Sequence, residues 1–307
     1  MPRTIPAIAF VIAVSLSPRA AAIIFESTGD PNYNTTAPTG LLADSGWQYL
    51  GSWNGFVGTP ISPNQFITAA HVGGGIGNTF YDASGVPHIA TSVSVQNDLA
   101  IWTVTGSFAN VAPIYTGSLE GLFPMTVFGT GLGRGAEFLN GSGGHAGWLW
   151  GSGNSALRWG TNQFDYAGIF PGLGQMLVAD FDANGGANEA TVASGDSGGA
   201  SFILVNGQWQ LAGITYGVES SFRTNATLGS VFSNVAADNR QGLFAADGSP
   251  SLADSVTEEW GQRWISSRVS ANQSWIYTQV PEPSTYAAGV AVAAIAATTW
   301  WRRRKAD

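Results

Sequence analysis

Turn residues interrupt this chain so often that only short strands fit between them. Its 307 residues include 41 glycines and 14 prolines. The apolar runs between turns are short and rich in β-branched and aromatic residues, as in residues 47–53, 56–61 and 65–69. Ser62-Pro63-Asn64 supplies turn chemistry between the last two. Runs of this kind predict an all-β chain, and by themselves they suit a barrel or a sandwich equally.

There is no cysteine, which excludes disulfides, thiolate metal sites and cysteine nucleophiles. Packing alone must hold the fold, which is feasible at this length. The two ends read as separate modules. Residues 1–22 read as a secretory signal peptide: Arg3 leads an apolar stretch, and Ala20-Ala21-Ala22 offers small-residue cleavage before Ile23. Residues 280–307 begin with Val280-Pro281-Glu282-Pro283-Ser284, continue as an apolar run of about 16 residues, short of a full span, and end in Arg302-Arg303-Arg304-Lys305. Six of the 12 basic residues and two of the 20 acidic ones lie in these segments. The body between them therefore has 6 basic and 18 acidic residues, a net charge of −12. Such a body lacks the basic footprint of a nucleic-acid binder.

The chemistry concentrates in three short blocks. Gly195-Asp196-Ser197-Gly198-Gly199 precedes the apolar run Phe202-Ile203-Leu204-Val205. A serine hydroxyl becomes a nucleophile when a base takes its proton and donors stabilise the oxyanion that forms. Glycines beside Ser197 allow a tight turn that aims the N–H groups of Gly195 and Ser197 at one point. The base and its orienting carboxylate have candidates upstream, in Thr68-Ala69-Ala70-His71 and Asn97-Asp98-Leu99-Ala100-Ile101. The other two histidines, His88 and His145, have no metal-ligand companions at useful spacing and read as surface or loop residues.

In order and in motif, these blocks resemble the chymotrypsin/trypsin-like serine proteases, over roughly residues 47–239. The resemblance implies two antiparallel six-stranded β-barrels with the site between them and a C-terminal helix. It divides the chain into an arm (23–46), a first barrel (47–120), a second barrel (121–254), and a helix with linker (255–279). It implies His71, Asp98 and Ser197 as the catalytic residues, and Gly195 and Ser197 N–H groups as the oxyanion hole, with no cofactor and no metal. Thr191, Thr215, Tyr216 and Gly217 take substrate-binding positions: Thr191 at the floor of the primary pocket, Thr215 bonded to the Asp98 carboxylate, Tyr216 and Gly217 paired with the substrate backbone. Neutral Thr191 argues against trypsin-like preference for Arg or Lys, and the direction of nearby Glu219 stays open. In this family a free apolar amino terminus pairs with the Asp before the serine, here Asp196. Cleavage after Ala22 would expose Ile23-Ile24 for that role; the alternative is an ordinary arm.

Within residues 255–271, Ser255 and Glu258 fit a capping box and Trp260, Trp264 and Ile265 recur at helical spacing, which predicts a helix. Asp180-Phe181-Asp182-Ala183-Asn184-Gly185 matches the first half of a calcium loop, but Thr191 stands where glutamate is required, so an Asx-rich loop is the simpler reading. The tail resembles the PEP-CTERM sorting signal of Gram-negative bacteria, which implies an exported body, processing by signal peptidase and an exosortase, and membrane contact only through residues 280–307. The expectation is an exported serine endopeptidase acting on polypeptides. The alternatives are an envelope- or exopolysaccharide-binding module on the same fold, and a zymogen silent until its arm is cut.

Overall fold

The computed structural model describes residues 23–152, 156–225, 231–248 and 261–280. The expected signal peptide, residues 255–260 of the expected helix and residues 281–307 of the expected sorting segment lie outside the described residues.

The chain enters on a buried two-residue strand, β1 (Ile24–Phe25). Six strands then close an antiparallel barrel: β2 (Gly51–Trp53), β3 (Phe56–Ser62), β4 (Gln65–Ala69), β5 (Thr79–Tyr81), β6 (Pro87–Gln96) and β7 (Leu99–Val104), in the order β2-β3-β4-β7-β6-β5. The first expected barrel is therefore present. Its opening strand is shorter than expected, because Trp47–Tyr49 is a 3-10 turn. Inward-facing Trp53, Phe66 and Phe80 are fully buried, and the Phe66 and Phe80 rings stack at 4.1 Å. His88 is also buried, contrary to its surface reading. It sits on β6 beside Phe108, and its ring nitrogens face Asp82 and the Thr105 carbonyl.

The second half departs from expectation. It contains β8 (Met125–Gly129), β9 (Arg134–Leu139), β10 (His145–Trp150), β11 (Arg158–Asn162), β12 (Tyr166–Phe170), β13 (Gly174–Asp180), β14 (Ala190–Thr191), β15 (Ala200–Val205), β16 (Gln208–Val218), β17 (Phe222–Arg223), β18 (Val235–Ala236), β19 (Phe244–Ala245) and β20 (Arg263–Arg268). Seven of them form an open sheet, β11-β8-β15-β16-β20-β13-β12, not a second closed barrel. The outer edge of β11 is already occupied. Asn34 on the arm takes Trp159 N–H and donates to Trp159 O, while Thr161 N–H donates to Asn188 O at 2.7 Å. With that edge filled, β12 has no strand to close on. A separate sheet, β18-β10-β9, covers the arm, and β1 pairs with β14. β9 and β10, within the glycine-rich residues 129–151, form a hairpin whose Trp148 is core, as most strand tryptophans are.

Where the structure describes the helix expected over 255–271, the main element is the strand β20, followed by a 3-10 turn over Ser270–Asn272. Trp264 and Ile265 are adjacent in β20 and bury into two different clusters, on opposite faces of the sheet. That is the signature of a central strand covered on both sides, which helical spacing can mimic over so few residues. The C-terminal helix is α1 (Gln273–Gln279), whose Ile276 packs on the barrel core.

A buried ion pair ties the connection between the halves to β20. Glu120 accepts from Arg268 Nε and Nη2, each at 2.8 Å, and from Ser270 Oγ. Arg268→Ala leaves this carboxylate buried without its cation and should cost about 3 kcal/mol in urea unfolding.

Four carboxylates crowd the end of β13. Burial, with repulsion from neighbouring carboxylates added, pushes Glu189 up to about 9, Asp165 to about 7 and Asp180 to about 6, and burial alone raises Asp182. Among the described residues no group of three or more His, Cys, Asp or Glu side chains is arranged to hold a metal ion. Folded values above unfolded ones mean that the native state binds more protons, so stability falls as pH rises through roughly 6 to 9. Glu189→Gln keeps an oxygen for Asn162 Nδ2 and Asp182 N. Urea midpoints at pH 6 and 9 should therefore diverge less in Glu189→Gln than in the wild type.

Candidate active site

Strand register brings the first two residues together. β4 pairs with β7 so that Ala69 lies opposite Leu99, and Ala70 N–H donates to Asp98 O at 2.8 Å. His71 follows β4 on a 3-10 turn, and Asp98 follows Asn97, whose φ of 52° makes the turn between β6 and β7. Both side chains therefore emerge at one end of the barrel. His71 Nδ1 lies 2.9 Å from each Asp98 carboxylate oxygen, and His71 N–H donates to Asp98 Oδ1 at 3.1 Å. A carboxylate can only accept, so Nδ1 carries the hydrogen and Nε2 of the neutral ring is left able to accept one. The carboxylate is nearly buried, while the imidazole is 20% exposed at the mouth of the site.

Ser197 arrives from the other half, on the turn between β14 and β15. The backbone clamps that turn to β16: Gly198 N–H donates to Thr215 O at 2.9 Å and Thr215 N–H to Gly199 O at 2.8 Å. Gly198 has φ 77°, and a Cβ there would stand 2.3 Å from Thr68 Oγ1 and 2.7 Å from Val57 O. A glycine is thus required where the serine turn meets β3 and β4, three residues before His71. Among the described residues, no hydrogen bond joins Ser197 Oγ to His71. Hydrogen bonds of this kind are often long before substrate arrives.

The N–H groups within the turn divide into two sets. Those of Asp196, Gly198 and Gly199 donate to backbone carbonyls. Those of Gly195 and Ser197 donate to no group among the described residues. Gly195 holds φ 94° against Gly131, a conformation that suits glycine. Two unspent donors flanking a nucleophile candidate are what an oxyanion requires.

Asp196 points away from the site and is fully buried. Its Oδ1 accepts from Gly131 N–H at 2.7 Å, and its Oδ2 accepts from Ala193 N–H at 2.8 Å and Ile23 N–H at 3.3 Å. Burial pushes this carboxyl up to about 6, against these bonds and the pull of Arg158. Ile23 is buried with φ 45°, a genuine outlier for a β-branched residue. Such a backbone costs about 1–3 kcal/mol. The arm is thus a structural part of the second half, held further by Arg134, which donates to the carbonyls of Phe25 and Glu26.

The remaining sequence-derived positions divide. Tyr216 stands edge-on to His71 with ring centroids 5.2 Å apart. The β15–β16 ladder ends at Ala200 and Ile214, and Tyr216, Gly217 and Val218 run on beyond it with β20 on their other side. The bond expected from Thr215 to Asp98 is not formed: Thr215 Oγ1 is buried with no hydrogen-bond partner among the described residues. Asp98 receives His71 through both main chain and ring, and Thr215 does its positioning through its backbone. Thr191 is fully buried, and its Oγ1 accepts from Gln262 Nε2 at 3.1 Å. Glu219 accepts from buried Arg240 at 3.2 Å, so its charge is compensated internally. The sequence reading did not find Gly131, Arg158 or Gln262. Each acts through a contact distant in the chain, and no local motif marks it.

No protein-family model matches this chain, and no curated protein matches it. The closed six-stranded antiparallel barrel is compatible with a chymotrypsin-like fold and is not specific to it.

Gly198→Ala places a methyl group against Thr68 and Val57 in a strained backbone. It should separate the serine turn from the barrel, lower the melting temperature by several degrees, and abolish any reactivity of Ser197. Circular dichroism melts and serine-directed labelling test this.

Proposed function

We propose that the chain is an exported serine endopeptidase of chymotrypsin-like mechanism. The observation that carries the reading is the His71–Asp98 pair, held 2.9 Å apart beside a serine turn with two unspent N–H donors. Ser197 Oγ attacks the substrate carbonyl carbon as His71 Nε2 takes its proton. Asp98 holds the ring and stabilises the imidazolium. The carbonyl oxygen, now an oxyanion, turns toward the N–H groups of Gly195 and Ser197. His71 returns the proton to the leaving amine as the C–N bond breaks. Water, activated by the same imidazole, then hydrolyses the acyl-enzyme. The substrate chain lies along Tyr216 and Gly217 as an added strand. Neutral Thr191 and internally paired Glu219 favour residues other than Arg and Lys in the primary pocket. No cofactor is required.

Maturation belongs to the same reading. Signal peptidase cuts after Ala22, and the new α-ammonium of Ile23 pairs with Asp196. The cut removes the covalent neighbour that defines φ at Ile23, and with it the strain there. It also gives the buried carboxylate a cation, which lowers its pKa from about 6. Residues 280–307 then serve sorting by an exosortase, which delivers the body to the envelope or exterior of a Gram-negative cell.

Hydrolysis of a peptide library and of small esters, comparing the full chain with one that begins at Ile23, tests this. The shorter chain should be the active one. Asp98→Asn should lower kcat by about 10⁴-fold, and Ser197→Ala should abolish turnover. Hydrolysis that survives Ser197→Ala would overturn the proposal. So would an inert chain that binds polysaccharide instead.

A further inference from the structure

The sheet that covers the arm contains a charge arrangement the proposed reaction does not use. His145 opens β10, and its ring bridges two carboxylates on different elements. Nδ1 lies 2.8 Å from Glu137 Oε1 on β9, and Nε2 lies 3.1 Å from Asp238 Oδ2, two residues beyond β18. Both partners are acceptors when ionised, so both ring nitrogens must carry hydrogen for both bonds to form. The two carboxylates differ in setting. Glu137 is largely exposed, whereas Asp238 is buried, and its Oδ1 has no hydrogen-bond partner among the described residues. The other charged group nearby is Arg134 on β9. It stacks 3.9 Å over the ring of Trp148, whose edge contacts His145, and it attracts Asp238. Arg134 in turn also faces Glu26 on the arm.

This bridge stands at the end of a short hydrogen-bonded route to the serine turn. Asp238 follows Ala237, whose N–H donates to Gln262 Oε1 at 3.0 Å and whose O accepts from Gln262 N–H. Fully buried Gln262 donates to Thr191, and Thr191 pairs with Ile24 on β1. Trp148 packs on Ile24 from the other side. The segment that His145 fastens is therefore the wall against which both Thr191 and the arm are held.

We propose that His145 is a pH-sensitive latch, which as imidazolium ties β9 to the segment after β18 and on losing a proton releases the wall that holds Thr191 and Ile24. Burial pulls the imidazolium toward deprotonation, but Glu137 and Asp238 outweigh it and raise its pKa above that of an ordinary histidine. A group whose folded pKa is raised stabilises the fold fully below its unfolded value, near 6.5. That contribution disappears as pH rises through the folded value. The latch is therefore closed in acid and opens toward alkaline pH. Deprotonation breaks one of its two hydrogen bonds and leaves the Asp238 carboxylate buried beside a neutral ring.

Three histidines in the whole chain make a direct measurement practical. Imidazole nitrogens of the full chain are followed by NMR from pH 5 to 9.5, with hydrogen exchange of the Ile24, Thr191 and Gln262 amides over the same range. After correction for the intrinsic pH dependence of exchange, protection should fall at least tenfold as His145 titrates above the ordinary value. His145→Lys, a permanent cation at a half-exposed position, should keep protection across the range, and His145→Gln should lack it throughout. His145 titrating at or below 6.5 overturns the proposal, as does protection that does not change through its titration or pH dependence that survives in His145→Lys. These readouts are independent of turnover. Any parallel change in Ser197 labelling rests on the peptidase reading and can fail without the latch failing.

Discussion

A buried carboxylate sets the geometry of this molecule. Asp196 lies in the turn that carries Ser197, yet its side chain points into the protein and takes three main-chain N–H groups from three separate segments. Burying a charge is costly unless hydrogen bonds or a counter-charge compensate it. At Asp196 the compensation fixes structure: Ala193 closes the turn, Gly131 anchors the loop after β8, and Ile23 draws the arm inside. With Asp196 turned inward, the N–H groups of Gly195 and Ser197 have no acceptor among the described residues. The surroundings of Ser197 and the placement of the arm are thus one problem in electrostatics.

Where the serine turn meets the first barrel, the turn itself carries no side chain. Gly198 touches Thr68 and Val57 at distances that exclude a Cβ, so the serine turn rests directly on the strands that lead into His71. Rigid ladders lie behind both partners, β4 with β7 on one side and β15 with β16 on the other. A site assembled on strand ends keeps its geometry better than one on free loops.

Legibility from sequence followed the range of each interaction. The blocks around His71, Asp98 and Ser197 were readable because turn, strand and side-chain chemistry are encoded within a few adjacent residues. The strands of the first barrel were readable for the same reason, as short runs joined by tight turns, but their closure into a barrel was implied only by the resemblance. That the second sheet stays open was not readable. Whether β11 meets β12 depends on Asn34 and Asn188, which reach that edge from 125 residues upstream of Trp159 and from beyond β13. Trp264 and Ile265 misled because aromatic and β-branched neighbours buried on both faces of a sheet imitate a helical stripe over a short window. His88 looked exposed because nothing local announces its partner at Thr105. Thr215 lacks the hydrogen bond expected of it, since a hydroxyl's orientation is not written in a motif.

The central claim is that the chain folds Ser197 into an activated nucleophile through His71, Asp98 and an inward-turned Asp196. Fluorophosphonate treatment followed by peptide mapping tests it most directly, because the reagent reports activation without knowledge of the substrate. The account predicts a single adduct on Ser197 in the chain that begins at Ile23, and none in its His71→Ala variant. No adduct on that chain, or equal modification after His71 is removed, would contradict it.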